Sequence, residues 1–320
     1  MIRKSLIGIA AMAVLAVIAT APAKAEISCG TAKLIVPWGA GGGTDVIFRI
    51  LVESANKNGA KPQIQVVNMG GQGGNKGAKE AVKAKPDGCT LFAIHQSAIS
   101  SFLTGRVDFT WDAFEPVALM TRTPTIYGAN AQVPYNDLKG LVDYAKAHPG
   151  EVLAGGTLGS TSHFAMLLLE DAAGVQFKHI SYDGTRERMT ALLANNIQIG
   201  EINLASAKKY IQTNELKALG ITTPERNPDV PDVMTVTEQG YDLVMGTDRG
   251  VMLPKGASKE VVDHYIAIFT KVANDPDVQA QMAAKGSLMP FTAGDDYRAY
   301  FEKTFDHWKK IAIKIGMYKG

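Results

Sequence analysis

From Leu34 onward the apolar and polar positions follow two alternating periods. The run LIVP (34–37) is short, apolar and closed by proline, and it predicts a strand. Beyond a glycine cluster, Val46, Ile47, Ile50 and Leu51 recur at the spacing of a helix with one buried face, and Gly59 marks its end. Thr44 stands where it would cap that helix. Asp45 falls in its first turn, where a carboxylate meets the positive end of the helix dipole. QIQVVN (63–68) reads as a second strand, NKGAKEAVKAK (75–85) as a helix closed by Pro86, and TLFAI (90–94) as a third strand. Strands and helices in that order predict a parallel sheet with helices on both faces.

The rhythm restarts at EVLAGG (151–156), a strand-like run. A capped helix, STSHFAMLLLEDAAG (160–174), a strand, FKHIS (177–181), and a helix, TRERMTALLANN (185–196), follow it. IQIGEI (197–202), SAKKYIQTN (206–214) and LKALGIT (216–222) continue as strand, helix and strand. Two α/β units are therefore expected, joined through PVALMTRTPTIYGAN (116–130) and, returning, through YDLVMGTDRGVML (241–253). The C-terminal part is helical. Val262, Tyr265, Ile266 and Phe269 share one face, Asp275 and Pro276 open another helix, and Tyr297, Phe301, Phe305 and Trp308 line a third at core spacing.

Composition changes this picture at the N-terminus. Arg3 and Lys4 precede an apolar stretch from Leu6 to Ala19, and APAKA supplies Ala23 and Ala25 as small residues, the pattern of a secretory signal cleaved after Ala25. The apolar run is shorter than the roughly 20 residues a membrane span needs. Without the leader, 30 basic residues face 31 acidic ones, and no basic run or aromatic–basic stripe suggests nucleic acid. Cys29 and Cys89 precede the first and third strands, which are often neighbours in a doubly wound sheet. An exported protein permits a disulfide there, and two free thiols are the alternative. Two cysteines exclude a multi-cysteine metal site.

The glycine loop at 39–44, G-A-G-G-G-T, departs from the dinucleotide fingerprint, and the second strand ends in Asn68 where an acid would hold a ribose. No Gly-Lys-Ser/Thr is present for a Walker loop. What remains is an anion cradle of free helix amides, set against a tight turn that needs glycine only for its backbone. GGTLGSTSHF (155–164) repeats the arrangement in the second unit. One cradle in each half predicts a ligand held between them. Catalytic signatures are missing: LGSTSH is not G-x-S-x-G, there is no H-E-x-x-H, and six histidines show no metal spacing. His95 is singled out because it follows the third strand, at the edge where α/β sheets bind ligands. Arg186 and Arg188 could attract an anion, but on a helix start near Asp183 and Glu187 local salt bridges are the favoured reading. Arg249 reads either as a fork for a carboxylate or as an ion pair with Asp248 at the hinge.

The blocks LIVPWGAGGGTDVIFRIL, NMGGQGGNKGAKEAVKAKPDGCTL, GSTSHFAMLLLEDAAGV, HISYDGT and NPDVPDVMTVTEQGYD, in this order, resemble the Bug-type extracytoplasmic solute receptors of tripartite tricarboxylate transporters. The resemblance implies a type II, two-lobed α/β periplasmic binding protein, each lobe a doubly wound sheet flanked by helices, with the ligand in the cleft. Lobe 1 would be 26–122 and 249–320, lobe 2 would be 123–248, and the hinges would lie near 117–130 and 241–253. It implies no catalysis and no cofactor or metal, a periplasmic location, action as a monomer, and an integral-membrane permease as partner. Its ligands would be small carboxylates. By position, Trp38, Gly41, Gly42, Gly43 and Thr44 would bind one carboxylate through backbone amides, with Asp45 bracing the loop and bridging water. Gly159, Ser160, Thr161 and Ser162 would form the second-lobe loop, and Asn203 would stand near the cleft. His95, Gln96, Gln198, Asp248 and Arg249 fall where the chain departs from the family pattern, and Ser97 is counted with His95 and Gln96 in the site. His95 and Arg249 would suit a second or third carboxylate, so a di- or tricarboxylate is favoured. The alternatives are an aromatic carboxylate with Trp38 as a stacking wall, an amino acid, a ligand-sensing adaptor and, furthest off, a secreted hydrolase using Ser160 to Ser162.

Overall fold

The computed structural model describes residues 27–243, 245–314 and 316–319, so the leader at 1–25 and its cleavage site lie outside the described residues. In chain order its elements begin with β1 (Thr31–Val36), α1 (Gly43–Lys57), β2 (Gln63–Asn68), α2 (Asn75–Lys83), β3 (Thr90–Ile94), α3 (Ser97–Leu103) and β4 (Phe114–Asn130). The second unit contains α4 (Leu138–Ala147), β5 (Leu153–Gly156), α5 (Thr161–Ala173), β6 (Lys178–Ser181), α6 (Thr185–Leu193), β7 (Ile199–Asn203), α7 (Leu204–Gln212) and β8 (Leu216–Ile221). The chain returns through β9 (Gly246–Pro254) to α8 (Lys259–Ala273), α9 (Pro276–Ala284), β10 (Thr292–Ala293) and α10 (Gly294–Lys314).

β1 lies between β2 and β3, parallel to both, as the alternating pattern of the first hundred residues requires. In the second unit β5 is likewise parallel to β6 and β7. The two stretches read from sequence as connections are strands. β4 runs for 17 residues. It pairs antiparallel with β9 from Phe114 to Pro124, then with β7 and β8 from Thr125 to Asn130. One strand thus belongs to both sheets, and the halves meet across it. Pro116 and Pro124 disguise it in the sequence, because proline removes a ladder donor and argues against a central strand.

Each face of the sheet is covered by residues the helical spacing selects. Ile47, Phe48 and Leu51 of α1 pack with Leu34 and Val36 of β1 and with Tyr265 and Phe269 of α8. Side chains of this size contribute about 1.5–3 kcal/mol each when fully buried. On α8 the buried stripe is Val261, Tyr265, Phe269 and Val272, so the expected Val262 and Ile266 sit only at its margin. On the other face α10 carries Tyr297, Phe301 and Trp308 into a core that also holds Phe92 and Ile94 of β3 and Phe164 of α5, so it spans both halves. Adjacent β1 and β3 bring Cys29 and Cys89 to a Cα–Cα distance of 5.9 Å, and the two form a disulfide. Among the described residues no helix is long and apolar enough to cross a membrane.

Candidate functional site

Among the helices that begin at the cleft between the halves, three do not have their first amides bonded by a capping side chain. They are α1 after Gly42, α5 after Ser160 and α6 after Gly184. By contrast, α4, α8 and α9 are capped by Asp137, Ser258 and Asp275. The first N–H groups of a helix have no intrahelical acceptor, so open ends converging on one space are suited to an anion. That space is a cavity of about 100 Å³. On the same measure one water needs ~10–15 Å³, so the cavity has room for a small organic molecule.

The expected cap on α1 is absent because the helix starts at Gly43 with Gly42 at the cap position, which puts Thr44 inside the first turn. Its hydroxyl accepts from Arg249 Nε at 2.9 Å. Asp45 does not face the cavity. It accepts from the Gly41 amide (2.7 Å), Arg49 Nε (3.0 Å) and Asn68 Nδ2 (2.8 Å), and Asn68 also donates to the Trp38 carbonyl. Burial would raise the Asp45 pKa, but these donors outweigh it and hold the carboxyl below its ordinary value. Asn68, read from sequence as a missing ribose acid, is thus the far end of the loop's brace.

Arg249 is 2% exposed and projects from β9 into the cavity. Nη1 donates to Thr123 Oγ1 at 2.6 Å and to the Thr247 carbonyl at 3.3 Å, and no carboxylate among the described residues forms an ion pair with it. Burial lowers its pKa to about 10, with the Glu201 and Asp248 charges opposing that shift, so it remains a cation at neutral pH. Of the two readings of Arg249, the pair with Asp248 does not form, because consecutive residues of a strand face opposite sides. Asp248 instead accepts from Arg122 Nε (2.6 Å) and Tyr300 OH (2.5 Å) on the far face. Arg188 and Arg186 also depart from the local pairing expected of them. Arg188 is buried and donates to Glu201 Oε2 at 2.7 Å, while Arg186 is an exposed residue of the cavity lining.

His95 stacks on Trp38 with ring centroids 3.9 Å apart. Burial, with the nearby Arg249 charge, pushes its pKa well below the usual histidine range, so the ring is neutral. Its Nδ1 accepts the Ser97 backbone N–H at 3.1 Å and lies 3.1 Å from the Thr161 hydroxyl across the cleft. A backbone N–H only donates, so the proton is on Nε2, which has no partner among the described residues. His95 thus occupies one face of the Trp38 indole.

Of the residues selected from sequence, Trp38, Gly42, Gly43, Thr44, His95, Ser160, Thr161, Ser162, Asn203 and Arg249 line the cavity. Gly41, Asp45, Gln96, Ser97 and Gly159 do not, and they act behind it. Gln96 bonds the Gly246 carbonyl, Tyr300 and the Asp248 amide, while the Gly159 carbonyl accepts from Ser100 Oγ. Unforeseen in the lining are Thr157, Thr247, the start of α6 and the Arg188–Glu201 pair. The open DGT turn before α6 was the one available sequence signal for them. No group of three metal-ligating side chains occurs among the described residues.

Residues 47–317 match the family described as tripartite tricarboxylate transporter family receptor. Protein BugT of Bordetella pertussis is 27% identical over 310 residues, covering 93% of this chain and 95% of that protein. The solved periplasmic binding protein BugD superimposes with a TM-score of 0.84 at 28% identity, over 91% of this chain and 99% of that one. MatC from Rhodopseudomonas palustris, solved with bound malate, gives 0.82 at 27% identity, over 88% and 98%. The α/β periplasmic-binding fold of these structures is the fold described above.

Proposed function

Because this chain belongs to the tripartite tricarboxylate transporter receptor family, a family of binding proteins rather than enzymes, we propose that it captures a small di- or tricarboxylate and delivers it to the membrane permease of such a transporter. The observation that carries the reading is Arg249, a buried cation without an ion-pair partner among the described residues, at the cavity where the open ends of α1, α5 and α6 meet. Burying an unpaired guanidinium costs several kcal/mol, roughly, which a carboxylate entering the cleft offsets. A forked guanidinium and converging amides favour a ligand with more than one carboxylate. The malate bound by MatC supports the same class.

The protein acts in the periplasm as a monomer, after cleavage of its leader at Ala25. Its lobes are residues 26–122 with 249–320, and 123–248, with hinges near 117–130 and 241–253. The change of partner along β4, from β9 to β7 and β8, supports that division. The ligand stabilises the closed form by touching both lobes at once. Trp38, Gly42, Gly43 and Thr44 supply the first-lobe side of the site, and Ser160, Thr161, Ser162 and Asn203 the second.

Mass spectrometry of small molecules released by denaturing the purified protein tests the reading. A di- or tricarboxylate recovered unchanged is the expected result. No released acid, together with no calorimetric response to millimolar di- and tricarboxylates, would require the reading to be abandoned.

A further inference from the structure

Arg249, His95 Nε2, Asn203 Nδ2 and the open helix amides present donors to the cavity. Glu201 is different. It is 4% exposed and lines the same space. Its Oε2 accepts from Arg188 Nη2 at 2.7 Å and its main-chain carbonyl from Arg188 Nε at 2.6 Å, while Oε1 has no partner among the described residues. Glu201 is the ion-pair partner of Arg188, and a carboxylate in such a pair only accepts. Asp183 and Glu187, the other carboxylates of the lining, are exposed and can be solvated.

The strand register sets Glu201 relative to Arg249. Arg249, Thr247, Asn203 and Glu201 stand opposite Thr121, Thr123, Thr125 and Tyr127 of β4 in turn, so all four belong to one face of the sheet. Arg249 is at one end of the row and Glu201 at the other, near enough for the Glu201 charge to act on the guanidinium. A ligand of carboxylates alone would place a like charge, or nothing, against Oε1. We infer that the ligand carries a hydrogen-bond donor, a hydroxyl or an ammonium group, besides its carboxylates, and that Glu201 selects for it. Carboxylate to Arg249 and donor to Glu201 fixes the direction in which the molecule lies.

This inference rests on the carboxylate-receptor reading and is tested separately from it. Calorimetry on ligand-stripped protein would compare succinate with malate and aspartate, and tricarballylate with citrate. Malate or aspartate should bind roughly tenfold or more tighter than succinate, or citrate than tricarballylate, as expected for a hydrogen bond to a charged group. A preference confined to malate or citrate assigns the donor as hydroxyl, and one confined to aspartate assigns it as ammonium. Glu201→Gln should reduce the preference to under about threefold, the loss of that one bond. If that variant does not fold, Arg188→Met with Glu201→Leu removes both charges and the acceptor together and leaves neither charge buried alone. Equal binding within each set, or a preference that survives the variants, overturns the inference and leaves the receptor reading standing. If none of the acids binds, the receptor reading falls and this inference falls with it.

Discussion

Asp45 lies beside the proposed anion site but is turned away from the cavity. Its carboxylate would repel a bound acid, and it is turned inward to gather Gly41, Arg49 and Asn68 around the loop. Because its pKa is held below the ordinary 3.8, its contribution to stability is fully present above that value and is lost as pH falls through the folded value. The melting-temperature difference between wild type and Asp45→Asn should therefore be constant from neutral pH down to about 4 and shrink below it. A difference unchanged at lower pH would remove the brace. The family resemblance implied a brace here, and like charges sharing the cradle would repel. Arg249 was only half legible, because its sequence neighbour Asp248 offered a plausible partner until strand alternation separated them. The Arg188–Glu201 pair was not legible, because its partners are 13 residues apart and α6 and β7 must pack before they meet.

Among the elements, those with a strict period and clear punctuation could be read from sequence. Helix α5, for example, ends at Gly174 in the left-handed conformation glycine allows, with φ of 64°. The long β4 and β9 were not recognised. Both are buried along nearly their whole length, so neither shows the in-out alternation of a half-exposed strand. Short α3 and α4 also passed unnoticed. The disulfide ties the segment before β1 to the start of β3 across a separation of 60 residues. On the chain-entropy account a loop of that length is worth about 4 kcal/mol. Replacing Cys29 and Cys89 together by serine should lower stability by ~2–5 kcal/mol in denaturant titrations, and reductant should leave the double variant unaffected. Equal stability of the two proteins would show that the bond contributes nothing to the fold.

At the scale of the molecule, the halves are joined in two different ways. Away from the cleft α10 stacks Trp308 on Phe164 of α5, with centroids 4.9 Å apart and planes within 2°, and Lys314 reaches Asp171. Across the cleft the links are polar and few, among them Thr161 with His95 and Ser100 with the Gly159 carbonyl. Trp308→Ala should cost about 3–5 kcal/mol in unfolding, and a double-mutant cycle with Phe164→Ala should return ~0.5–1.5 kcal/mol of coupling. Zero coupling would show that the stack does not clasp the lobes. On the proposed lobe division, a ligand touching both sides would add its contacts to these polar links and so favour the closed form.

The most direct measurement is a calorimetric titration of ligand-stripped wild type and Arg249→Ala with the acid that the wild type binds best. Loss of one charge-assisted contact predicts an affinity weaker by roughly 1.5–3 kcal/mol, or about ten- to a hundred-fold, with a fold that still melts cooperatively. An unchanged affinity would mean that the buried guanidinium serves the hinge rather than the ligand, and the carboxylate site would have to be sought elsewhere.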